Sequence, residues 1–261
     1  MTFAPELNDF LVNYTLTVAR LLAAVAIAPF VSSQILTGPT RYAFVLAWGM
    51  IIYPFIEPSI PPHLRQDWLL TFGLLVKEVV IGIMIGFFAS KAFFLAINIG
   101  YLIDTQRGST MASVLAPGTG EQTSVLGQLF EQITTALFYT GGGFLIFLGV
   151  IFDSYTFWPL FKFLPAFHAS FPKLVLADAD LLMRMTLVFA APLVMALFLG
   201  EFGLGLVNRF APSLNVFSLA MPIKSILAIL ILVFYLPFMF AYLGKDLGAP
   251  ALVDFIKGLA P

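Results

Sequence analysis

Residues 105–124 read Thr-Gln-Arg-Gly-Ser-Thr-Met-Ala-Ser-Val-Leu-Ala-Pro-Gly-Thr-Gly-Glu-Gln-Thr-Ser, a polar segment in the middle of an otherwise apolar chain. Seven of these twenty residues are Ser or Thr and three are Gly. A connection between two helices usually needs only a few residues. The segment is therefore either a long exposed loop or an element with a function of its own.

The composition of the whole chain favours an integral membrane protein. The 261 residues are 60% hydrophobic and only 10% charged, with a mean hydropathy of +0.99. Soluble domains carry about 25% charged residues. The net charge of −1 gives no reason to expect a nucleic-acid partner, because such proteins present basic patches.

Residues that carry out chemistry are scarce. The chain has no Cys and only two His, which excludes thiol nucleophiles and disfavours zinc clusters and His-based triads. Gly118-Thr119-Gly120 is not followed by the Lys-Ser/Thr of a phosphate loop, and the segment contains no Gly-x-Ser-x-Gly nucleophile elbow. We expect no catalytic residue, no cofactor and no metal, so a membrane enzyme is disfavoured.

Apolar runs predict an all-α fold of long helices. The runs cover residues 7–30, 42–56, 68–103, 125–152, 178–209 and 225–244, with a proline-bearing connector at 153–177. Proline lies within or near the end of four runs and predicts kinks. As one helix, 68–103 would be about 54 Å long, too long for one membrane span, and it shows no turn for two.

Uncharged stretches of spanning length are few. Only 132–152 and 225–244 are both predominantly apolar and near the length that crosses a bilayer. We therefore expect much of the helical surface to pack against protein and not lipid.

Several ionisable groups lie inside the apolar helices. These groups are Lys77, Glu78, Lys91, Arg184, Glu201 and Arg209. In lipid each costs a few kcal/mol, so each is expected to be paired, to line water or to lie outside the bilayer. Asp180 and Arg184 have the spacing of an i,i+4 pair. Glu201 and Arg209 lie about 12 Å apart along a helix, so we expect their partners on other helices or subunits.

Gly82 and Gly86 form a small-xxx-small face that lets another helix approach closely. The sequence leaves open whether that helix belongs to the same chain or to another subunit. For residues 105–124, irregular backbone at membrane depth is tolerated only when it is enclosed by protein or lines a water-filled cavity. The segment is thus a candidate pore loop or plug, with an exposed loop as the alternative.

Several motifs together resemble the export-gate subunit family of type III secretion systems, called SctT in injectisomes and FliR in flagella. They are Lys77-Glu78-x3-Gly82-x3-Gly86, Gly100-x3-Asp104-x3-Gly108, Pro117-Gly118-Thr119-Gly120, Gly203-Leu204-Gly205-x3-Arg209-x2-Pro212 and Asn215-Val216-Phe217-Ser218-Leu219-Ala220-Met221-Pro222-Ile223-Lys224-Ser225. The likeness covers essentially the whole chain as one domain, 1–261, and the last motif favours the SctT branch.

The resemblance implies a fold and a set of partners. The fold would be all-α and membrane-associated, with long, kinked helices in hairpins within a larger helical ring and an internal polar plug loop. The partners would be two smaller ring subunits (SctR/FliP-like and SctS/FliQ-like), a SctU/FlhB-like switch subunit, the base of the inner rod and needle, and unfolded export substrates. The chain would lie in the bacterial inner membrane, with much of the assembled subunit on the periplasmic side.

The resemblance also implies site residues. Within the plug loop, the gate residues would be Gln106, Arg107, Gly108, Ser109, Met111, Val114, Leu115, Pro117, Gly118, Gly120 and Glu121. Helix packing and subunit contacts would involve Lys77, Glu78, Gly82, Gly86, Glu201, Gly205, Arg209, Pro212, Asn215, Pro222 and Lys224.

The alternative function is a self-contained secondary transporter. It would use ionisable groups at the membrane midplane and helices broken by proline in matching halves. The two halves of this sequence do not match.

Overall fold

The computed structural model describes residues 3–31, 38–55, 68–109, 124–162, 171–211 and 216–246, and these residues contain helices and no strand. The helices are α1 (Phe3–Ile27), α2 (Gly38–Ile52), α3 (Trp68–Ala89), α4 (Lys91–Arg107), α5 (Val125–Thr140), α6 (Gly143–Phe157), α7 (Phe171–Phe210) and α8 (Val216–Asp246). Short 3₁₀ turns follow α1 and α2, at Pro29–Val31 and Tyr53–Phe55. The all-helical prediction is confirmed for these residues.

The described helices fall into two compact units. Unit 1 contains α1, α2, α3 and α6, and unit 2 contains α4 from Ala92 onward, α5, α7 from Val175 onward and α8. In unit 1, α1 packs along α3, and Phe30 meets Phe147 edge-on with 5.1 Å between ring centroids. In unit 2, residues of all four helices form an apolar core around Ile99, Phe130 and Leu193.

The run 68–103 is not one helix. α3 ends at Ala89 and α4 begins at Lys91, so a single residue, Ser90, separates them. The Ser90 Oγ donates to the Gly86 carbonyl at 2.6 Å, and its backbone N–H is shared between the carbonyls of Gly86 and Phe87. Such back-bonding by serine competes with the regular helix ladder. The expectation that no turn divides this run was wrong. A single serine within an apolar run does not mark the end of a helix in the sequence.

The run 125–152 is divided as well. α5 ends at Thr140 and α6 begins at Gly143, with Gly142 at a φ of 74°. Glycine occupies this left-handed conformation without the steric cost that other residues meet. The uncharged stretch 132–152 is therefore a broken helix. α6 continues to Phe157 and α7 begins at Phe171, so both ends of the predicted connector 153–177 are helical.

The structure contains more span-length helices than the uncharged stretches predicted. Among the described residues, four stretches are long and apolar enough to cross a membrane: Phe10–Ile27, Trp68–Ala89, Val175–Phe210 and Leu219–Leu243. A fifth exists if α5 and α6 together make one broken span. Counting only uncharged stretches was too strict, because Arg20, Lys77 and Glu78 are buried within these helices and neutralise one another in part.

α7 and α8 begin earlier than the sequence indicated. α7 starts at Phe171, so Asp178 and Asp180 lie within it. Pro192 lies inside α7, and Pro222 and Pro237 lie inside α8. Only 28% of the residues in the spanning stretch of each helix are buried in the chain. Most of the surface of these two stretches is therefore not covered by other described residues.

Candidate functional site

The polar segment leaves α4 through a glycine turn. α4 ends at Arg107, and Gly108 has a φ of 83°, the left-handed conformation that commonly closes a helix. The backbone N–H and the Oγ of Ser109 both donate to the Asp104 carbonyl, each at 3.1 Å. The first two residues beyond α4 are thus held against its last turn.

The other end of the segment is held by the same aspartate. Ser124 caps α5, because its Oγ accepts the Gly127 N–H at 2.8 Å. The Asp104 Oδ2 in turn accepts the Ser124 hydroxyl at 2.8 Å and the Leu126 N–H at 3.0 Å. Asp104, Ser109, Ser124 and Leu126 therefore join the two ends of the polar segment, and we call these four residues the loop base.

Asp104 is fully buried, and its charge is balanced locally. Its Oδ1 lies 2.7 Å from the Nε of Arg107, which is itself mostly buried. A carboxylate at the first turn of α5 also interacts favourably with the helix dipole. One turn before Asp104, Gly100 meets Gly127: a Cβ added at Gly100 would lie 2.4 Å from the Gly127 nitrogen. The motif Gly100-x3-Asp104-x3-Gly108 thus combines a close helix contact, a cap and a helix end.

A lysine from α8 meets the C-terminus of α4 in unit 2. The Nζ of Lys224 donates to the Gln106 carbonyl at 3.0 Å and to the Glu201 Oε2 at 3.1 Å. A cation is favourable at a helix C-terminus, where the carbonyls are unpaired. Glu201 therefore has its partner on another helix, as the sequence predicted. Arg209 is exposed and has no hydrogen bond or ion pair with the described residues.

Part of the predicted plug and of the last motif falls outside the described residues. This applies to Met111, Val114, Leu115, Pro117, Gly118, Gly120, Glu121, Pro212 and Asn215. The structure places Gln106, Arg107, Gly108 and Ser109 at the end of α4, and it brings Lys224 to Gln106.

Unit 1 holds a buried cluster of charges. Glu78 is completely buried, with its Oε2 2.6 Å from the Nε of Arg20 and its Oε1 2.7 Å from the Nζ of Lys77. Arg20 also donates to the Ser154 Oγ and to the Trp158 carbonyl, each at 2.9 Å. We call Arg20, Lys77 and Glu78 the charged cluster. It connects α1 and α3 to the end of α6.

Lys77 joins the segment after α6 to α3. Its Nζ donates to the carbonyls of Leu160 at 2.7 Å and of Pro159 and Lys162 at 3.2 Å. Three carbonyl dipoles thus surround an ammonium that shares Glu78 with Arg20. The Tyr155 ring adds a cation–π contact, 3.9 Å from the Arg20 Cζ. Of the three expectations for Lys77 and Glu78, the structure shows pairing, and the part played by Arg20 was missed.

The glycine face of α3 is used within the chain. A Cβ added at Gly82 would lie 2.2 Å from the Arg20 carbonyl oxygen, and one at Gly86 would lie 2.5 Å from the Ala24 carbonyl oxygen. The helix that Gly82 and Gly86 admit is therefore α1. Gly205 differs, since a Cβ added there would meet no described atom within 4 Å.

The predicted pair on α7 is present and exposed. The Arg184 Nη2 lies 2.9 Å from the Asp180 Oδ2, and about 70% of each side chain is exposed. An exposed i,i+4 pair contributes only a few tenths of a kcal/mol. This exposed pair serves as a reference for the buried pair of Arg20 and Glu78.

Removing the Asp104 carboxylate is expected to loosen the loop base while the unit stays folded. In Asp104→Ala, the Leu126 N–H loses its acceptor and the Ser124 hydroxyl loses its carboxylate partner. A lost partner at a buried site costs about 1–3 kcal/mol. We expect faster amide hydrogen exchange across 105–128, measured by mass spectrometry on the purified chain. Asp180→Ala is the matched control, and equal exchange in the two variants would contradict this role of Asp104.

The family described as "Bacterial export proteins, family 1" matches residues 11–249. Yop proteins translocation protein T of Yersinia pestis is 40% identical over 236 residues, covering 90% of each chain. Secretion system apparatus protein SsaT of Salmonella typhimurium is 32% identical to this chain over 239 residues, which cover 90% of this chain and 91% of SsaT. Flagellar biosynthetic protein FliR of Escherichia coli is 28% identical, covering 84% of this chain and 82% of FliR.

Proposed function

Because the chain belongs to the family of bacterial export proteins, family 1, we propose that it is a structural and gating subunit of a type III secretion export gate. The family is the SctT/FliR family that the sequence resembles, and the higher identities to translocation protein T and SsaT than to FliR favour the SctT branch. These relatives lend no support to the alternative of a self-contained transporter.

The observation that carries the gating proposal is the loop base. A plug must be able to move without unfolding the helices that hold it. Asp104 satisfies this requirement, because it fixes both ends of the polar segment to α4 and α5 through side-chain and backbone hydrogen bonds. Rearrangement between these ends leaves the Gly100–Gly127 contact and the apolar core of unit 2 in place.

The partners and location in this proposal follow the family. The exposed apolar surfaces of α7 and α8 would be covered by the SctR-like and SctS-like ring subunits, by the SctU-like switch subunit or by lipid. The gate would sit in the bacterial inner membrane, with much of the subunit on the periplasmic side. The substrates would be unfolded polypeptides passing toward the inner rod and needle. No chemistry is assigned to the chain itself.

Deletion of residues 111–120 is expected to leave the secretion complex assembled and make the membrane leaky. The deletion retains Asp104 and Ser124, so the helices of unit 2 keep their ends. Ion and small-solute leak across the inner membrane is the measurement, alongside the yield of the complex. Replacing 111–120 by a Gly-Ser sequence of equal length shows whether length or side chains form the seal. An unchanged leak with normal secretion would exclude a plug.

A further inference from the structure

Unit 1 contains an apolar groove that neither the charged cluster nor the proposed gate uses. It lies between α1, α2 and α3, with a volume of about 550 Å³. Its lining on α1 runs from Tyr14 to Ile27, and Leu46 and Ile83 contribute from the other two helices. Thirteen helical steps of about 1.5 Å make the groove about 20 Å long.

The lining offers a ligand nothing to bind except hydrocarbon. Of the eleven lining residues only Tyr14 and Thr15 have hydroxyls, and both already donate within the chain. The Tyr14 hydroxyl donates to the Leu46 carbonyl at 2.8 Å, and the Thr15 hydroxyl to the Leu11 carbonyl at 2.7 Å. A polar ligand would lose its hydration here without compensation.

The dimensions favour one flexible chain over a helix. All the empty space in the groove, including the part open to solvent, is about 1020 Å³, which over this length gives a cross-section of at most about 51 Å². An α-helix of about 10 Å diameter has a cross-section of about 80 Å². A partner helix could therefore insert no more than a row of side chains. The groove is also slightly longer than one leaflet of hydrocarbon, about 15 Å.

A cation stands at one end of the groove. Arg41 lies in the first turn of α2, and its Nη2 donates to the carbonyl of Val25, the residue that precedes Ala26 and Ile27, the last lining residues on α1. Pro29 has no N–H to offer that carbonyl, so Arg41 partly takes its place. A guanidinium has five N–H donors suited to phosphate. The helix dipole adds positive potential at the start of α2.

From this combination we propose that unit 1 binds a phospholipid, with one acyl chain in the groove and its phosphate at Arg41. α1 and α3 carry two of the span-length stretches, so phospholipid is available to the groove in a membrane. A bound chain would keep the groove dry and fill the space beside the α1–α3 contact. The site is independent of the gate, and loss of the lipid leaves the plug proposal untouched.

Lipid retention by the purified full-length chain tests the acyl site. The probe is palmitoyl-oleoyl-phosphatidylglycerol, counted by native mass spectrometry after detergent exchange. Ala26→Phe places a ring in the groove, and Ala47→Phe places the same ring on an exposed position of α2 outside it. Displacing only two methylene groups reduces affinity by about tenfold. We expect one retained lipid, lost at least tenfold in Ala26→Phe and kept in Ala47→Phe.

A second comparison tests the headgroup. Arg41→Gln is expected to weaken phosphatidylglycerol about fivefold, the effect of one cation near an anionic headgroup. It should leave retention of palmitoyl-oleoyl-glycerol, which lacks the phosphate, unchanged. Equal loss of both lipids in Arg41→Gln would overturn the phosphate contact. Equal retention by Ala26→Phe and Ala47→Phe would overturn the acyl site and indicate non-specific lipid only.

A third outcome would assign the groove to protein. A photo-crosslinking residue can replace Leu22, a lining residue one helical turn from Ala26, in the assembled secretion complex. Stoichiometric crosslinking to another subunit, together with no phosphatidylglycerol retained by the complex, would overturn the proposal. Crosslinking to lipid, reversed by the Ala26→Phe variant, would support it.

Discussion

Glu78→Gln is expected to destabilise the isolated chain by about 3–5 kcal/mol, the cost of breaking a buried ion pair from one side. The substitution keeps the shape of the side chain and removes its charge. Arg20 and Lys77 then remain buried with no anion between them. The measurement is the thermal unfolding midpoint of the purified chain in detergent.

The physical reason lies in how the cluster is balanced. Two cations share one carboxylate, and carbonyls of the segment after α6 supply the remaining negative potential. Without the carboxylate these neutral dipoles remain, but they do not neutralise two full charges in a medium of low dielectric constant. The chain must then admit water, move Arg20 outward or deprotonate Lys77. Each of these weakens the connection between α1, α3 and α6.

Two further variants test whether the loss of stability comes from leaving buried charges without a partner. Arg184→Gln removes one partner of the exposed pair with Asp180 and is expected to cost less than about 1 kcal/mol. The double variant Arg20→Met with Glu78→Leu removes both partners and should cost less than the sum of the single changes. If Glu78→Gln unfolds at the same temperature as Arg184→Gln, the charged cluster does not hold unit 1 together.

The helices themselves were largely readable from the sequence, because long apolar runs determine them. The boundaries that were missed have local causes. Ser90 breaks a run through one hydroxyl, and Gly142 breaks another through one left-handed residue. Neither changes the hydropathy of its run. Periodicity and composition report which residues are buried, but they do not report a single residue leaving the helical conformation.

For the candidate sites too, some features could be predicted from the sequence and others could not. That Lys77 and Glu78 would be paired, line water or lie outside the bilayer followed from the cost of isolated charges in apolar surroundings. That Arg20 would be the main partner did not, since Arg20 is 58 residues from Glu78 and the contact depends on how α1 and α3 align. Asp104 stood in a recognised motif, yet its role as a cap for α5 requires knowing that Gly100 and Gly127 meet.

Gly82→Ala is expected to destabilise the chain by about 3 kcal/mol, although alanine is normally the better helix former. An alanine in a helix interior is favoured over glycine by about 0.5–1 kcal/mol. Here the added Cβ would lie 2.2 Å from the Arg20 carbonyl oxygen and 2.7 Å from the Ala23 Cβ. A backbone carbonyl cannot turn aside as a side chain can. α1 and α3 must separate, and overpacking of this kind costs about 1–3 kcal/mol.

The upper end of that range is expected because Arg20 is also displaced. Its carbonyl is the atom that meets the new Cβ, and its guanidinium makes the contact with Glu78. Separation of α1 from α3 therefore lengthens the buried ion pair as well as opening the apolar contact. The two substitutions, Gly82→Ala and Glu78→Gln, should accordingly be non-additive when combined.

Gly205→Ala is the control with the opposite expected sign. An added Cβ at Gly205 has no described atom within 4 Å, so the alanine should be neutral or stabilise the isolated chain by up to about 1 kcal/mol. Comparing unfolding midpoints of Gly82→Ala and Gly205→Ala thus separates helix propensity from packing. Equal stabilisation in both would show that Gly82 does not hold α1 close to α3. The same variant can be tested in the assembled complex. If Gly205→Ala lowers the yield of the complex but does not destabilise the isolated chain, Gly205 lies at a contact with another subunit.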